Sequence, residues 1–541
     1  MRTDAPHLPM CMEKEYIDSE NRGNKASWIV WQKLEYDMNK IKKISGLTGS
    51  QILTGLYIAA VGFLLLMICS RSSFLYPMNN WDDVNSYFTM GKGMMNGLVI
   101  YRDLYEQKGP YLYFLYGLAY LISHRTFAGV FAFEVVAAAF FLLFAYKSMR
   151  LFCSRSAALI LLPLLGACIY VSRSFYWGGA AEEFCLPFLA YALYCSLSVF
   201  RQKEVREPSL RMIFTNGICA GIVLQVKYTM AGFYAAWFFM MLLIFIKSRS
   251  GKKLLQACLV FAGAFLITMI PWIIYFGIHG ALGDWYQVYI YNNLFIYANY
   301  SKTEESGNLL YSLLKVLYNL AGDNRSYFSF IVFGMAAVLI DQRNGWMAKL
   351  NILLMSSLLF LNIFIGGSTL PYYSIPLMVF VLPGYAYAGK ILDCMMNRIG
   401  WKRLWQIPAA ISLICGLLMV TRYSMNVPFM HQGKDTFFVY RFADIISQEQ
   451  NPTLANIGCL DVGLYTVTGI IPTCRFFQTN AISLQEMNEE QADCIANGRT
   501  QFIVMRDSYP DNIEIHYTLV AQAPYQWGNY HFTYYLFKRT K

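Results

Sequence analysis

Charge is what this chain has least of. Only 14% of its 541 residues are Asp, Glu, Lys or Arg, where a water-soluble domain carries about 25%. That shortfall excludes an ordinary soluble enzyme. There is no GxxxxGK[ST] loop to cradle nucleotide phosphates, which sets aside an ATP-driven pump. There is no HExxH pair and the six histidines are scattered, which sets aside a zinc hydrolase. The 13 cysteines form no CxxC pair, and most sit inside apolar runs, where a thiol behaves as a small hydrophobe. Cysteines 459, 474 and 494 near the C-terminal end are odd in number, so no disulfide framework is implied. Residues 1–50 are polar, so no cleavable signal peptide is expected.

Apolar residues are abundant instead: 56% of the chain, with a mean hydropathy of +0.37. Runs of roughly 17–25 apolar residues recur along most of the length and predict a polytopic α-helical membrane protein. The net charge is +11, but the basic residues cluster in short loops between apolar runs. That pattern encodes membrane topology rather than a nucleic-acid face, and no nucleic-acid partner is expected.

The loops order the chain. Residues 1–50 are rich in Lys and Arg and are placed in the cytoplasm, with WIVWQKLEYDMNKIKK (28–43) as a basic amphipathic helix on the inner membrane surface. Eleven spans follow, at about 51–70, 127–146, 157–172, 184–200, 212–226, 229–246, 254–277, 326–341, 349–365, 373–391 and 405–421. PYLYFLYGLAYLI (110–122) is short for a span. It is kept in the outer loop as a surface or re-entrant helix, which leaves the basic KSMRLFCSR (147–155) inside. The external segments are then 71–125, 173–183 and 278–325. From about Arg422 the composition turns polar. Residues 422–541 read as a small extracytoplasmic α/β domain, with strand-like TLANIGCL, TQFIVMRD and a hairpin at YTLVAQAP…YHFTYYLFKR, and helices at ADIISQEQN and SLQEMNEEQADCIANG. The plasma membrane is the expected location.

This topology sets two acidic pairs on one face: Asp82 and Asp83 after the first span, and Glu182 and Glu183 before the fourth. Lys108 and Lys227 fall on the same face. A half-desolvated carboxylate there can act as a base. The plainer reading is helix capping, with Asp83 at the start of VNSYFTMGKGMM. Glu134 lies inside the second span and needs a partner. The tyrosines along 101–120 and 285–300 fit interfacial belts.

The stretch NNWDDVNSYFTMGKGMMNGLVIYRDLYEQKGPYLYF (79–114) carries a resemblance. Asp83, Tyr87, Gly97, Tyr101, Arg102, Asp103, Lys108 and Pro110 resemble the first external loop of GT-C glycosyltransferases, in particular the bacterial protein-mannosyltransferase and aminoarabinose-transferase-like enzymes. The family usually reads Lys-Pro-Pro where this chain has Lys108-Gly109-Pro110. AAEEFCLPFLAY (180–191), GGSTLPYYSIPLMVFVLP (366–383) and GLYTVTGIIPTCRFF (463–477) are similar to later family segments. The resemblance implies transfer of a sugar from a polyprenyl-phosphate carrier to a cell-envelope acceptor (glycan, lipid or protein) on the outer face. It implies a single displacement with inversion at the anomeric carbon. Asp83 is the implied base, with Asp82 as the alternative. Lys108, then Arg102 and Lys227, would hold the phosphate. Tyr87, Glu182 and Glu183 complete the binding set. No cofactor is required, although Asp83, Glu182 and Glu183 leave room for a divalent metal, Mg or Mn. The alternatives are a lipid-linked sugar flippase or transporter and an envelope-glycan polymerase. Against them, no internal repeat is evident, and the 278–325 loop is poor in arginine.

Overall fold

The computed structural model describes residues 48–201, 205, 207–297, 309–366, 370–399, 404–480, 482–527 and 530–540. The expected amphipathic helix at 28–43 lies outside them.

Helices dominate the first four-fifths of the described chain. They are α1 (Gly49–Cys69), α2 (Asp82–Met95), α3 (Pro110–Ile122), α4 (Ala128–Arg150), α5 (Arg155–Tyr170), α6 (Ala181–Phe200), α7 (Leu210–Leu224), α8 (Ala231–Lys247), α9 (Gly251–Ile267), α10 (Ile270–Ile278), α11 (Leu309–Asp323), α12 (Arg325–Ile340), α13 (Trp346–Phe364), α14 (Val381–Ile399) and α15 (Gln406–Tyr423). Among the described residues, eight helical segments are long and apolar enough to cross a membrane. The chain is a multi-pass membrane protein.

Each expected span falls on apolar helical segments, with 254–277 divided between α9 and α10 and 373–391 between a 3-10 helix at Pro371–Phe380 and α14, but the count of eleven is not established. Three of those helices, α5, α7 and α12, have 16, 15 and 16 residues. At 1.5 Å per residue each reaches only about 24 Å, short of a hydrocarbon core of about 30 Å. The segment 278–325, expected to lie outside, carries more structure than its sequence announced. It includes a π-helix at Tyr286–Tyr297, and α11.

Helix α3 starts where Pro110 supplies a fixed φ at the first helical position, a place where its missing N–H costs nothing. It packs along α2 at a glycine crossing. A Cβ on Gly91 would lie 2.4 Å from the Gly117 nitrogen and 2.8 Å from the Tyr113 oxygen. Only hydrogen fits between those backbones.

The C-terminal region forms a four-stranded sheet in the order β1-β2-β4-β3. Strand β1 (Leu454–Ile457) pairs parallel with β2 (Phe502–Arg506), in the register Leu454↔Phe502. Strand β3 (Tyr517–Trp527) and β4 (Tyr530–Arg539) form the expected hairpin, and β4 lies antiparallel on β2. Helices α16 (Phe438–Ile446) and α17 (Gln485–Ala496) accompany the sheet. The helix expected at ADIISQEQN begins earlier, at Phe438, and stops at Ile446. Its buried face is Val439, Phe442, Ala443 and Ile446, a helical spacing that lies mostly upstream of that stretch.

This domain grips one face of α2. Ser86 donates to Gln478 at 2.6 Å and Thr89 to Asp461 at 2.6 Å. The buried Lys92 ammonium donates to the carbonyls of Tyr465 (2.6 Å) and Ile470 (2.5 Å). Positions 86, 89 and 92 recur every three residues, one helix face.

Gly91→Ala must separate α2 from α3. We expect a loss of about 1–3 kcal/mol or more, as overpacking costs, seen as a lowered thermal midpoint of the purified protein. An unchanged midpoint would contradict the glycine crossing.

Candidate functional site

One close approach assembles the site. The Gly109 amide donates to the Val226 carbonyl at 3.1 Å. A Cβ at 109 would sit 1.8 Å from the Gln225 oxygen. A proline there would lose the amide and meet that carbonyl. The departure from Lys-Pro-Pro therefore has a steric cause. The contact lays Lys108 beside Lys227.

Asp83 is in the first turn of α2, one helical turn before Tyr87. Its Oδ2 accepts the Tyr87 hydroxyl at 3.1 Å and the Tyr372 hydroxyl at 2.8 Å. Among the described residues no hydrogen bond reaches its Oδ1. Lys108 lies over the Tyr87 ring at 5.6 Å and pairs with Glu106 at 3.5 Å. Burial opposes the Lys108 charge, but Glu106 and then Asp83 more than offset it and raise its pKa. Glu106 is held in turn by the Tyr113 hydroxyl and the Lys108 amide. Lys227 forms an ion pair with Glu182, the two side chains 8% and 2% exposed. Its ammonium sits 3.8 Å from the Tyr373 ring centroid and 5.4 Å from that of Tyr372.

Lys108 and Lys227 both line a cavity of about 150 Å3. Tyr373, Tyr297 and Asn293 supply polar groups to its wall, and Leu294, Ile363 and Ile365 supply apolar ones. Two ammonium groups over an apolar wall suit a ligand with a phosphate head and a hydrocarbon body.

Three predicted residues go elsewhere. Asp82 faces the C-terminal domain, beside Phe438, Tyr525 and Tyr534. Burial first, then Asp83, pushes its carboxyl up to about 7, with Arg506 opposing. Arg102 is a surface residue, bound to Asp103 and the His279 carbonyl. Glu183 accepts the Gly179 amide at 2.8 Å and lies against Glu134. Glu134 itself is fully buried and accepts the Ser70 hydroxyl at 2.9 Å. Asp83, Glu182 and Glu183 thus hold separate partners. Among the described residues no three His, Cys, Asp or Glu side chains converge to hold a metal, and no step below runs through one.

The tyrosines expected as belts divide: Tyr286 and Tyr291 in the second stretch are exposed, whereas most of the first stretch is internal. Tyr101, Tyr105, Tyr113 and Tyr116 are buried. Tyr101 donates to the Lys108 carbonyl and Tyr116 to the Gly179 carbonyl. They organise the loop rather than anchor it to a lipid surface. Sequence reasoning missed Glu106, Tyr372 and Tyr373. Glu106 stands two residues before Lys108, and the tyrosine pair lies inside the quoted 366–383 stretch. Both were within view as charge and aromatic neighbours of the motif.

No family model matches the sequence, and no curated protein is recognisably similar to it. Solved structures are. The crystal structure of ArnT from Cupriavidus metallidurans bound to undecaprenyl phosphate superposes with a TM-score of 0.57 at 12% identity, covering 91% of this chain and 98% of that one. The apo ArnT structure gives 0.55 at 12% identity, covering 90% and 98%. This is the GT-C fold.

Two outcomes follow from the charges. Lys227→Met strands Glu182, one of whose oxygens already lacks a partner. We expect a destabilisation of about 3–5 kcal/mol, and recovery of most of it in Lys227→Met/Glu182→Gln. Thermal unfolding in detergent checks both. For Asp82, the unfolded chain ionises near 3.8 and the folded one only near 7. The fold holds that proton more tightly, so this group's contribution to stability falls as pH rises from about 4 to about 7. Asp82→Asn should unfold at a higher temperature than the parent at pH 8, and the gain should vanish below about pH 4. Parallel unfolding profiles at every pH would contradict it.

Proposed function

We propose that the protein is a membrane glycosyltransferase that moves a sugar from a polyprenyl-phosphate donor to a cell-envelope acceptor. The observation that carries this reading is an apolar-walled cavity lined by Lys108 and Lys227, with Asp83 joined to those lysines through the rings of Tyr87 and Tyr372. The ArnT structure that shares the fold was solved with undecaprenyl phosphate, which supports the lipid class.

In this reading the carrier phosphate sits between Lys108 and Lys227, where negative charge builds as the sugar leaves. Glu182 and Glu106 hold the two ammonium groups in place, and the apolar wall of Leu294, Ile363 and Ile365 takes the first carbons of the lipid. The acceptor hydroxyl approaches Asp83 at Oδ1, while Tyr87 and Tyr372 fix the other oxygen. Asp83 removes the hydroxyl proton as the oxygen attacks the anomeric carbon from the side opposite the phosphate. One displacement inverts that carbon. General-base assistance of this kind contributes about 10²–10⁴ in rate. The site lies on the outer face of the plasma membrane, with the N-terminus in the cytoplasm.

Asp83→Asn keeps the side-chain volume and most hydrogen bonds but cannot take the proton. Transfer from a polyprenyl-phosphate-sugar should fall by about two to four orders of magnitude in a folded variant. A capping role predicts near-parental activity, because Asn caps as well as Asp. Lys108→Met should raise the KM for the lipid donor and lower kcat in the same assay. Activity close to the parent in both variants would end the proposal.

A further inference from the structure

Two cysteines of the C-terminal domain meet in its core. The Sγ atoms of Cys474 and Cys494 are 3.5 Å apart. They come from different segments, the strap 469–480 and helix α17, and both are buried, 5% and 1% exposed. Ala455, Ile503, Tyr517 and Phe537 surround them. Cys459, the third cysteine of the domain, points instead at the Val504 carbonyl. The odd count in the sequence therefore resolves into one pair and one single thiol.

We propose that Cys474 and Cys494 form a disulfide in the mature protein, made by a dithiol–disulfide oxidant of the extracytoplasmic compartment. The inference rests on the outward placement of this domain in the reading above, and on nothing about the sugar chemistry. Closing the pair needs a relative shift of only ~1.5 Å, from van der Waals contact to a bond of about 2.05 Å. Small side-chain rotations supply that.

The order of events follows from burial. The bond forms before the core closes. The Cys474 thiolate attacks one sulfur of the oxidant's disulfide, and the oxidant's other sulfur leaves as a thiolate. Cys494, deprotonated, then attacks the Cys474 sulfur of the mixed disulfide and displaces the oxidant's remaining sulfur. The two protein thiols give up two protons and two electrons, and the oxidant leaves as a dithiol. The same balance holds with the two cysteines exchanged.

The bond staples a working part. The residue after Cys474 is Arg475, whose guanidinium donates to the Tyr101 carbonyl at 3.1 Å and whose carbonyl accepts the Tyr105 amide at 2.9 Å. Phe476 packs on the Tyr105 ring at 5.0 Å. The strap therefore holds the loop that carries Glu106 and Lys108, and the disulfide ties the strap to α17.

The test uses the full chain, purified from membranes without reductant. The protein is unfolded in the presence of an alkylating agent, digested and mapped. The expected result is a linked pair of peptides containing positions 474 and 494, which separates and alkylates only after dithiothreitol. Recovery of both cysteines alkylated without reductant overturns the proposal. A second arm reads the staple. Dithiothreitol should lower the unfolding midpoint of the parent by roughly 10 °C, as expected for closing a loop of this length, and should leave Cys474→Ala/Cys494→Ala unmoved. A dithiothreitol shift of equal size in the double variant overturns it. Neither arm measures sugar transfer, so failure here and failure of the transferase reading are told apart.

Discussion

The amide of Gly109 and the carbonyls of Gln225 and Val226 lie closer than any side chain would permit. The candidate site depends on that contact. It fixes the loop after α2 to the turn after α7, two segments more than a hundred residues apart. It sets the lysines that follow or precede those backbones side by side over one cavity. It also makes glycine obligatory at position 109, where the motif it resembles has proline. The departure from Lys-Pro-Pro is here a packing requirement.

A second constraint is the partition of the acidic doublets. Neighbouring residues on a helix point about 100° apart. At the start of α2, Asp83 turns to Tyr87 and Tyr372 while Asp82 turns to the C-terminal domain. At the start of α6, Glu182 turns to Lys227 while Glu183 turns to the Gly179 amide and Glu134. In each doublet one acid faces the cavity side and the other secures a neighbouring element. Tyrosine hydroxyls and lysines mediate between the two inward-facing acids, so the site is a polar network closed by aromatic rings.

Much of this was legible in the sequence. Every expected span falls on apolar helical segments, and the strands of the C-terminal domain lie where β-rich runs occur. Asp83, Tyr87 and Lys108 of the motif lie near one another, and Lys227, set on the same face by the expected topology, joins them through Tyr372. What could not be read was side-chain direction. Arg102 looks equivalent to Lys108 on paper, yet Asp103 beside it captures the guanidinium at the surface. The buried tyrosines 101, 105, 113 and 116 looked like a belt because aromatic spacing does not report which hydroxyls find carbonyls. Tyr372 reaches Asp83 across 289 residues, and no local pattern encodes such a meeting.

The grip of the C-terminal domain on α2 also bears on how the protein is made. Thr89 and its partner Asp461 are separated by 372 positions, and the buried Lys92 waits for carbonyls at Tyr465 and Ile470. At a synthesis rate of about 5–20 residues per second, α2 emerges roughly 20–70 s before the surfaces that seat it. Through that interval its lysine has no partner from that domain and its polar face stays in water. The helix that bears Asp83 is thus among the first parts translated and among the last to settle. A nascent chain stalled anywhere before residue 461 carries the helix of Asp83 without the domain that seats Thr89 and Lys92.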